Sequence, residues 1–281
     1  MAADDLPLVS IVTPSLNQGR FIEQAIRSVA EQDYPRIEHI VVDAGSTDET
    51  LDVLRRHPRV RWTSEPDRGQ ADAINKGFAT ATGQILGWLN ADDYYLEGAV
   101  SAAVEALRSS GCGLVHGGWR QVDEDGRTIR DVPAVPFDYE RQLERENRVA
   151  QPGSFFTREA FDAVGGVDAD LRYAMDYELW LKLGKRFGVC HVDRTLAAYR
   201  YHPSSKSVAE YRAFAAETWR ASRRHGGRMR SPLFFDFYLP HERPGLHRLL
   251  VAWRLLRRRD LRPLAAGIRR RLSRGRASRP A

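Results

Sequence analysis

The sequence predicts an α/β fold, a mostly parallel sheet with helices on both faces, and three observations predict it. Short β-branched apolar runs alternate with amphipathic segments four times within the first 110 residues. The runs are apolar at successive positions, as in strands buried on both faces. Each is followed by a polar cluster, TPSLN, DAGSTD, SEPDRG and NADD in turn. In a parallel sheet with right-handed crossovers, four such clusters converge on one crevice outside the carboxyl ends of the strands.

The elements follow in order. LVSIVTP, residues 8 to 14, is the first strand and stops at Pro14, and the segment from Phe21 to Ala30 sets Phe21, Ala25, Ile26 and Val29 on one helical face. IEHIVVD, ending at Asp43, is the second strand. DAGSTDET carries a capping box, Ser46 with Glu49, that starts the helix LDVLRRH. VRWTSEP is the third strand, GQADAINKGFATATG a helix closed by Gly83 at its C-terminal cap, and QILGWLN the fourth strand. Asp93 and Glu97 favour the start of a helix near Leu96.

Beyond Gly111 the pattern becomes mixed. GLVHGGWRQVDEDGRTIRDV reads as a hairpin turning at DEDG. Residues 133 to 150 read as a charged loop without periodicity, expected to be the most mobile part of the core. QPGSFFT, a helix from Arg158 to Val164 and the helical run AMDYELWLKLGKRFG follow. No internal repeat or low-complexity segment precedes the Arg-rich tail.

With 281 residues and 42% hydrophobic content the chain can bury one large or two small cores. Its net charge of +6 is unevenly placed: from Arg243 to Ala281 thirteen arginines face one acid, Asp260, so the remaining residues are net −6. The tail reads as an amphipathic helix, with Leu246, Leu249, Leu250, Trp253 and Leu256 on one stripe and Arg248, Arg254, Arg257 and Arg258 elsewhere. An acidic body with a basic tail suits an anionic surface, which membrane or nucleic acid can supply. Cys112 and Cys190 match no disulfide framework or metal spacing, so both are expected as small buried residues in a reducing compartment. The N-terminus MAADDLPLVS is no secretory signal, and no apolar run is long enough to span a membrane. The expectation is a cytoplasmic protein, peripheral on the inner face of the cell membrane.

Among groups able to do chemistry, WLNADDYY sets Asp92 and Asp93 at a strand end. They are either helix-start acids or ligands of a hard divalent cation shared with substrate phosphates, where one or two protein carboxylates suffice. The capping box leaves Asp43 unexplained, and its oxygens suit base N–H or ribose hydroxyl groups. Arg68 is an anion partner, with Asp72, Asn75 and Lys76 on the next helix face, although a solvated helix accounts for these equally well. Asp176 reads locally as a first-turn helix acid above the apolar Leu179, Trp180 and Leu183.

SIVTPSLNQGRFIEQAIRSVAEQDYP, HIVVDAGSTDET, SEPDRGQADAINKG and GWLNADD, in that order and spacing, resemble the family 2 inverting glycosyltransferases of GT-A fold, over residues 7 to 208. The resemblance implies a Rossmann-like GT-A domain at 1–208, with a nucleotide-sugar half at 1–110, an acceptor and base half at 111–208, and a helical Arg-rich extension at 209–281. It implies a nucleotide-diphospho-sugar donor, a UDP-sugar favoured, and Mn2+ or Mg2+ on the aspartate-rich motif. Here that motif reads Asn90, Ala91, Asp92, with Asp93 following, so Asn90 replaces its first acid and Asp92 is the implied metal ligand. Thr13, Pro14, Ser15 and Asn17 would lie near the nucleoside, Asp43 on the base, and Arg68 with Asp72 by the base or diphosphate.

In that family the general base is the Asp of a Glu-Asp pair that opens a helix; here Met175 replaces the Glu and Asp176 stands at the base position, with Glu178 as the second candidate. YRYHPSSKS matches a histidine segment that would place His202, with Ser205 and Lys206, by the metal or diphosphate. Gln151, Gly153 and Ser154 would line the acceptor or sugar side, with Asp93. The implied reaction is transfer of a hexosyl or hexosaminyl unit to a lipid-linked or glycan hydroxyl acceptor in cell-surface polysaccharide or glycolipid synthesis, with the tail on anionic membrane and no nucleic acid. A nucleotidyltransferase would carry a Gly-rich basic phosphate loop in place of SLNQG. A non-catalytic nucleic-acid-binding protein would leave Asp92, Asp176 and His202 without a purpose.

Overall fold

The computed structural model describes residues 6–202, 205–229, 231–242, 244–247 and 249–250. Its first half is the predicted alternation: β1 (Val9–Ser15), α1 (Ile22–Ala30), β2 (Ile37–Asp43), α2 (Thr50–Arg55), β3 (Arg61–Ser64), α3 (Gln70–Thr80) and β4 (Ile85–Trp88). β5 (Tyr94–Tyr95) and α4 (Ala99–Ser110) follow, then the hairpin β6 (Leu114–Val122) and β7 (Thr128–Val132). α5 (Tyr139–Glu144), β8 (Ser154–Thr157), α6 (Arg158–Ala163), α7 (Met175–Arg186) and β9 (Val189–Arg200) complete the sheet region. α8 (Lys206–Ala209), α9 (Tyr211–Arg224), a π-helical segment (Leu233–Tyr238) and α10 (Leu239–Glu242) close it.

One sheet runs in the order β3-β2-β1-β4-β8-β6-β9-β5, with β7 on β6. β3, β2, β1 and β4 are parallel, β8 is antiparallel to both β4 and β6, and β9 returns parallel to β6. Because side chains alternate across a strand, adjacent Phe155 and Phe156 of β8 enter different cores. Phe156 joins Val12, Phe78, Met175 and Trp180 on one face; Phe155 joins Ile11, Val29, Val100 and Leu107 on the other. A smaller apolar cluster of Leu143, Tyr177, Leu181, Ala221 and Leu233 ties α9 and the π-helical segment to α5 and α7.

Two glycines set close approaches. A Cβ on Gly77 would stand 2.4 Å from Val12, so its absence lets α3 lie directly on β1. Gly83 is not the cap of α3, whose C-cap is Ala81; a Cβ there would meet Ser10 Oγ at 2.5 Å and Leu8 O at 2.6 Å, so it serves the close passage of the chain beside β1.

Other local expectations change for physical reasons. Ser46 does not cap α2, because its hydroxyl donates to Asp43 and the helix begins only at Thr50. α4 begins after Gly98, which holds φ +68°, so neither Asp93 nor Glu97 caps it. The segment 133 to 150 is not a bare loop: Asp138 accepts the Arg141 N–H and caps α5, which buries Leu143. Cys112 and Cys190 are half-buried and joined in a disulfide with Cα atoms 6.2 Å apart. The parallel register Val115↔Cys190 brings together residues 78 apart in sequence, which no spacing rule reveals. The pairing removes the argument for a reducing compartment that rested on unpaired cysteines. The stripe through Trp253 and Leu256, with Arg248, Arg254, Arg257 and Arg258, lies outside the described residues; within them Leu246 and Leu249 are exposed.

Candidate active site

The β1 and β2 ends form one interlocked unit. Asn17, in the left-handed region at φ +53°, accepts the Thr47 N–H with its Oδ1 at 2.9 Å. Its own N–H donates to Ser46 Oγ at 2.7 Å, while the N–H groups of Gln18 and Gly19 go to Thr50 Oγ1 and Asp48 Oδ2, both at 2.9 Å. Asp43 is fully buried and accepts from the N–H groups of Gly45 and Ser46 and from the hydroxyls of Ser46 and Ser64. The structure thus assigns Asp43 the task of folding this loop, rather than an open acceptor face. Thr13 likewise turns inward, with Oγ1 2.9 Å from His39 Nε2. Pro14 is buried beside them, and Ser15 Oγ is buried without a hydrogen-bond partner among the described residues.

The β4 end holds a polar network around Asn90. Its Oδ1 accepts from Gln70 and Trp88 Nε1, both at 2.8 Å; its Nδ2 donates to Gln151 Oε1 at 2.8 Å and faces Asp93 Oδ2 at 3.4 Å. Gln70 in turn accepts from Lys206 Nζ at 2.8 Å. Asn90 is therefore engaged by protein partners, not presented to sugar hydroxyls. Ala91 is buried, and Gln151 anchors the segment before β8 by donating to Trp88 O. Gly153 contributes its carbonyl to the Gly117 N–H at 2.9 Å, and Ser154 Oγ donates to Ala150 O, so this loop is bonded to the sheet.

Asp92 and Asp93 separate by role. Asp93 is 2% exposed and accepts the Arg200 N–H at 2.9 Å. Burial, then the neighbouring Asp92 charge, pushes its carboxyl well above the usual carboxylate range. Asp92 keeps an open edge, and its Oδ2 lies 3.0 Å from His202 Nε2 although 110 residues separate them. Phe21 covers the imidazole at 5.2 Å between ring centroids. Arg200, 3% exposed, underlies the pair: Nε donates to Asp92 O at 2.9 Å, Nη1 to Glu124 O at 2.8 Å, and the guanidinium lies 4.9 Å from the Phe21 ring centre. Ser205 supports His202 by donating to its carbonyl at 2.8 Å.

The pair fits a hard divalent ion shared with phosphate. A separation of 3.0 Å is that of adjacent ligands on an octahedral ion with bonds of about 2.1 Å. Among the described residues no group of three His, Cys, Asp or Glu side chains could hold a metal alone.

Asp176 sits in the first turn of α7. Burial raises its carboxyl to about 6, against the opposing pull of the Tyr177 N–H, its own N–H and the Asn147 side chain. The Glu178 alternative is removed by geometry: its carboxylate lies 3.0 Å from Lys182 and 3.1 Å from His225, inside the α7–α9 contact. Lys206, exposed, stands electrostatically between the two sides, feeling Arg172 just before α7 and Asp92.

Arg68 is exposed at the rim and donates to Asp72 at 2.9 Å, and this bond draws the Asp72 carboxyl down to about 2. Lys76 continues the chain to Glu65 at 3.3 Å. Asn75 is structural: its amide exchanges hydrogen bonds with the N–H and carbonyl of Val167. Sequence reasoning missed Arg200, Gln70 and Asn147. The run YRYH gave the one available signal for Arg200, an arginine two residues before the candidate histidine.

The comparisons agree with this architecture. A family model described as glycosyl transferase family 2 matches residues 10–165, more than half of the chain. An uncharacterized glycosyltransferase of Mycobacterium tuberculosis is 34% identical over 211 residues, 71% of this chain and 80% of that protein. The Escherichia coli chondroitin synthase is 27% identical over 208 residues, 72% of this chain, and the chain spans only 30% of its length. In fold, a mannosyltransferase from Pyrobaculum calidifontis, solved with GDP-Man and Mn2+, superposes with a TM-score of 0.61 at 23% identity, covering 99% of this chain and 78% of that one.

Proposed function

Because the chain belongs to glycosyl transferase family 2, we propose that it moves a hexosyl or hexosaminyl unit from a nucleotide-diphospho-sugar to a hydroxyl of a lipid-linked or glycan acceptor, with inversion, in cell-surface polysaccharide or glycolipid synthesis. The observation that carries the mechanism is Asp176, an acid opening α7 whose carboxyl is raised to about 6 and so titrates near working pH. As the acceptor oxygen forms its bond to the anomeric carbon, the bond to the diphosphate breaks, the nucleoside diphosphate leaves with the electron pair, and Asp176 takes the acceptor proton.

Asp92 and His202 would hold Mn2+ or Mg2+, which when bound offsets the charge that builds on the leaving diphosphate. The imidazole favours Mn2+ of the two. Arg200 and Ser205 fix the two ligands, and Asp93 fixes Arg200 in turn. Ser15 Oγ, buried and unpartnered among the described residues, suits a donor hydroxyl or phosphate oxygen beside the interlocked β1 and β2 ends. Arg68, on the rim, suits the base or diphosphate.

The tail from Arg243 onward, with thirteen arginines, would hold the enzyme on anionic membrane. Exposed Leu246 and Leu249 at its start support that role, and among the described residues no helix is long and apolar enough to cross a membrane. The test is turnover of UDP-sugars first, then GDP- and dTDP-sugars, with Mn2+, Mg2+ or EDTA, with and without membrane extract. Metal-dependent release of nucleoside diphosphate and a glycosylated product support the reading; neither binding nor turnover across the panel would sink it.

A further inference from the structure

The turn that opens α7 is held from outside the sheet. Ala174 precedes the helix and carries no side-chain acceptor, so the usual cap is missing. The acceptor comes from α9 instead. Glu217 Oε1 accepts the N–H groups of Arg172 at 3.0 Å, Tyr173 at 2.5 Å and Ala174 at 2.7 Å, and Oε2 accepts from Arg172 at 3.1 Å. Glu217 is 6% exposed. A carboxylate buried to this extent is costly unless hydrogen-bonded, and here three backbone donors and the positive end of α7 offset the cost.

Asp176 stands two residues beyond Ala174. The groups that face its carboxyl are the N–H of Tyr177 and its own N–H on α7, the Asn147 side chain from the segment between α5 and β8, and the Glu217 charge from α9. Of these, Glu217 alone is charged. It therefore acts on Asp176 through the path of the backbone and through space.

We propose that Glu217 is a positioning residue of the transfer site: by gathering the N–H groups of Arg172, Tyr173 and Ala174 it fixes the turn that presents Asp176 and sets the negative field in which that carboxylate works. The inference rests on Asp176 as the base. A displacement of a reacting group by about 1 Å can cost on the order of 100-fold in rate, so a cap that fixes this turn controls turnover without touching substrate.

The test compares Glu217→Gln, which removes the charge and keeps one acceptor oxygen, with Glu217→Asp, which keeps the charge and shortens the reach. Glu144→Gln is the control, because Glu144 is also buried at this junction but pairs with Arg228 rather than with the α7 turn. The Asp176 carboxyl is titrated by 13C NMR, its signal identified by its loss in Asp176→Asn, and kcat is followed against pH with donor affinity measured separately. In Glu217→Gln the Asp176 titration is expected to move down by about half a pH unit, the acid limb of kcat with it, at unchanged donor affinity. In Glu217→Asp the titration stays and plateau kcat falls about 10-fold.

An unmoved Asp176 titration in folded Glu217→Gln, or an equal shift in Glu144→Gln, overturns the proposal. Should Glu217→Gln not fold, an undiminished plateau kcat in Glu217→Asp does the same. An active Asp176→Asn enzyme would remove the base assignment instead, and the titration would still report whether Glu217 acts on that carboxyl.

Discussion

The loops at the ends of β1 and β2 and the surroundings of Asp92 and Asp176 are built in opposite ways. At the ends of β1 and β2 the polar side chains satisfy one another locally: Asn17 meets Thr47, Gly19 meets Asp48, and Asp43 meets Ser46 and Ser64. Elsewhere the groups are assembled from far apart, His202 against Asp92 over 110 residues and Glu217 against Ala174 over 43. The first arrangement makes a rigid wall from short-range contacts. The second leaves acids with raised pKa values or open edges, held by supports from other elements, and there chemistry is available.

Four expectations break or sharpen that contrast. The largest is Asp176→Asn, which should lower kcat by about 10³-fold or more while donor affinity stays within a few-fold; isothermal titration beside steady-state kinetics checks both. Asp92→Ala should lower kcat/KM by about 100-fold and abolish the response to added Mn2+. If the response survives, the metal reading of the Asp92–His202 pair is wrong. Arg200→Met removes the support rather than a ligand, leaving the carbonyls of Asp92, Asp123 and Glu124 and the Gln24 amide oxygen without the guanidinium while the backbone N–H to Asp93 stays, and should cost about 3 kcal/mol of stability in denaturant melts.

The smallest effect is on pH. Asp176 must be ionised to accept a proton, so kcat/KM should fall tenfold per unit as pH drops below about 6. The same raised carboxyl lowers stability as pH rises from about 4 to about 6, because the folded chain then holds more protons than the unfolded one. Asp176→Asn should therefore melt higher than the wild type above that window and not below it. The gain should be about 1 kcal/mol, well under what the full shift would give, because the residue keeps a solvent-facing edge. A loss of stability instead would place Asp176 with the structural acids of the donor wall.

Much of this was legible in the sequence. The alternation of elements and the clusters at strand ends were read correctly because burial on both faces of a parallel sheet leaves a continuous apolar run, and polar residues gather where each strand ends. Asp92, Asp176 and His202 were marked by their places at element ends and by family resemblance. The roles of neighbours were not legible. Asp43 and Thr13 looked like ligand-facing groups and turn inward; Glu178 looked like a second base and is tied to Lys182 and His225. A side chain's partner depends on packing between elements, which periodicity does not encode.

The sequence by itself determined the α/β order and the polar clusters at the strand ends, since propensity, period and turn chemistry are properties of nearby residues. Only the tertiary structure decided which acids are free. It joined Cys112 to Cys190, buried Asp93 under Arg200, brought His202 to Asp92 and set Glu217 against the turn before Asp176. Each of these four contacts crosses between elements whose approach is fixed by sheet register and core packing, and none is written in any short stretch of chain.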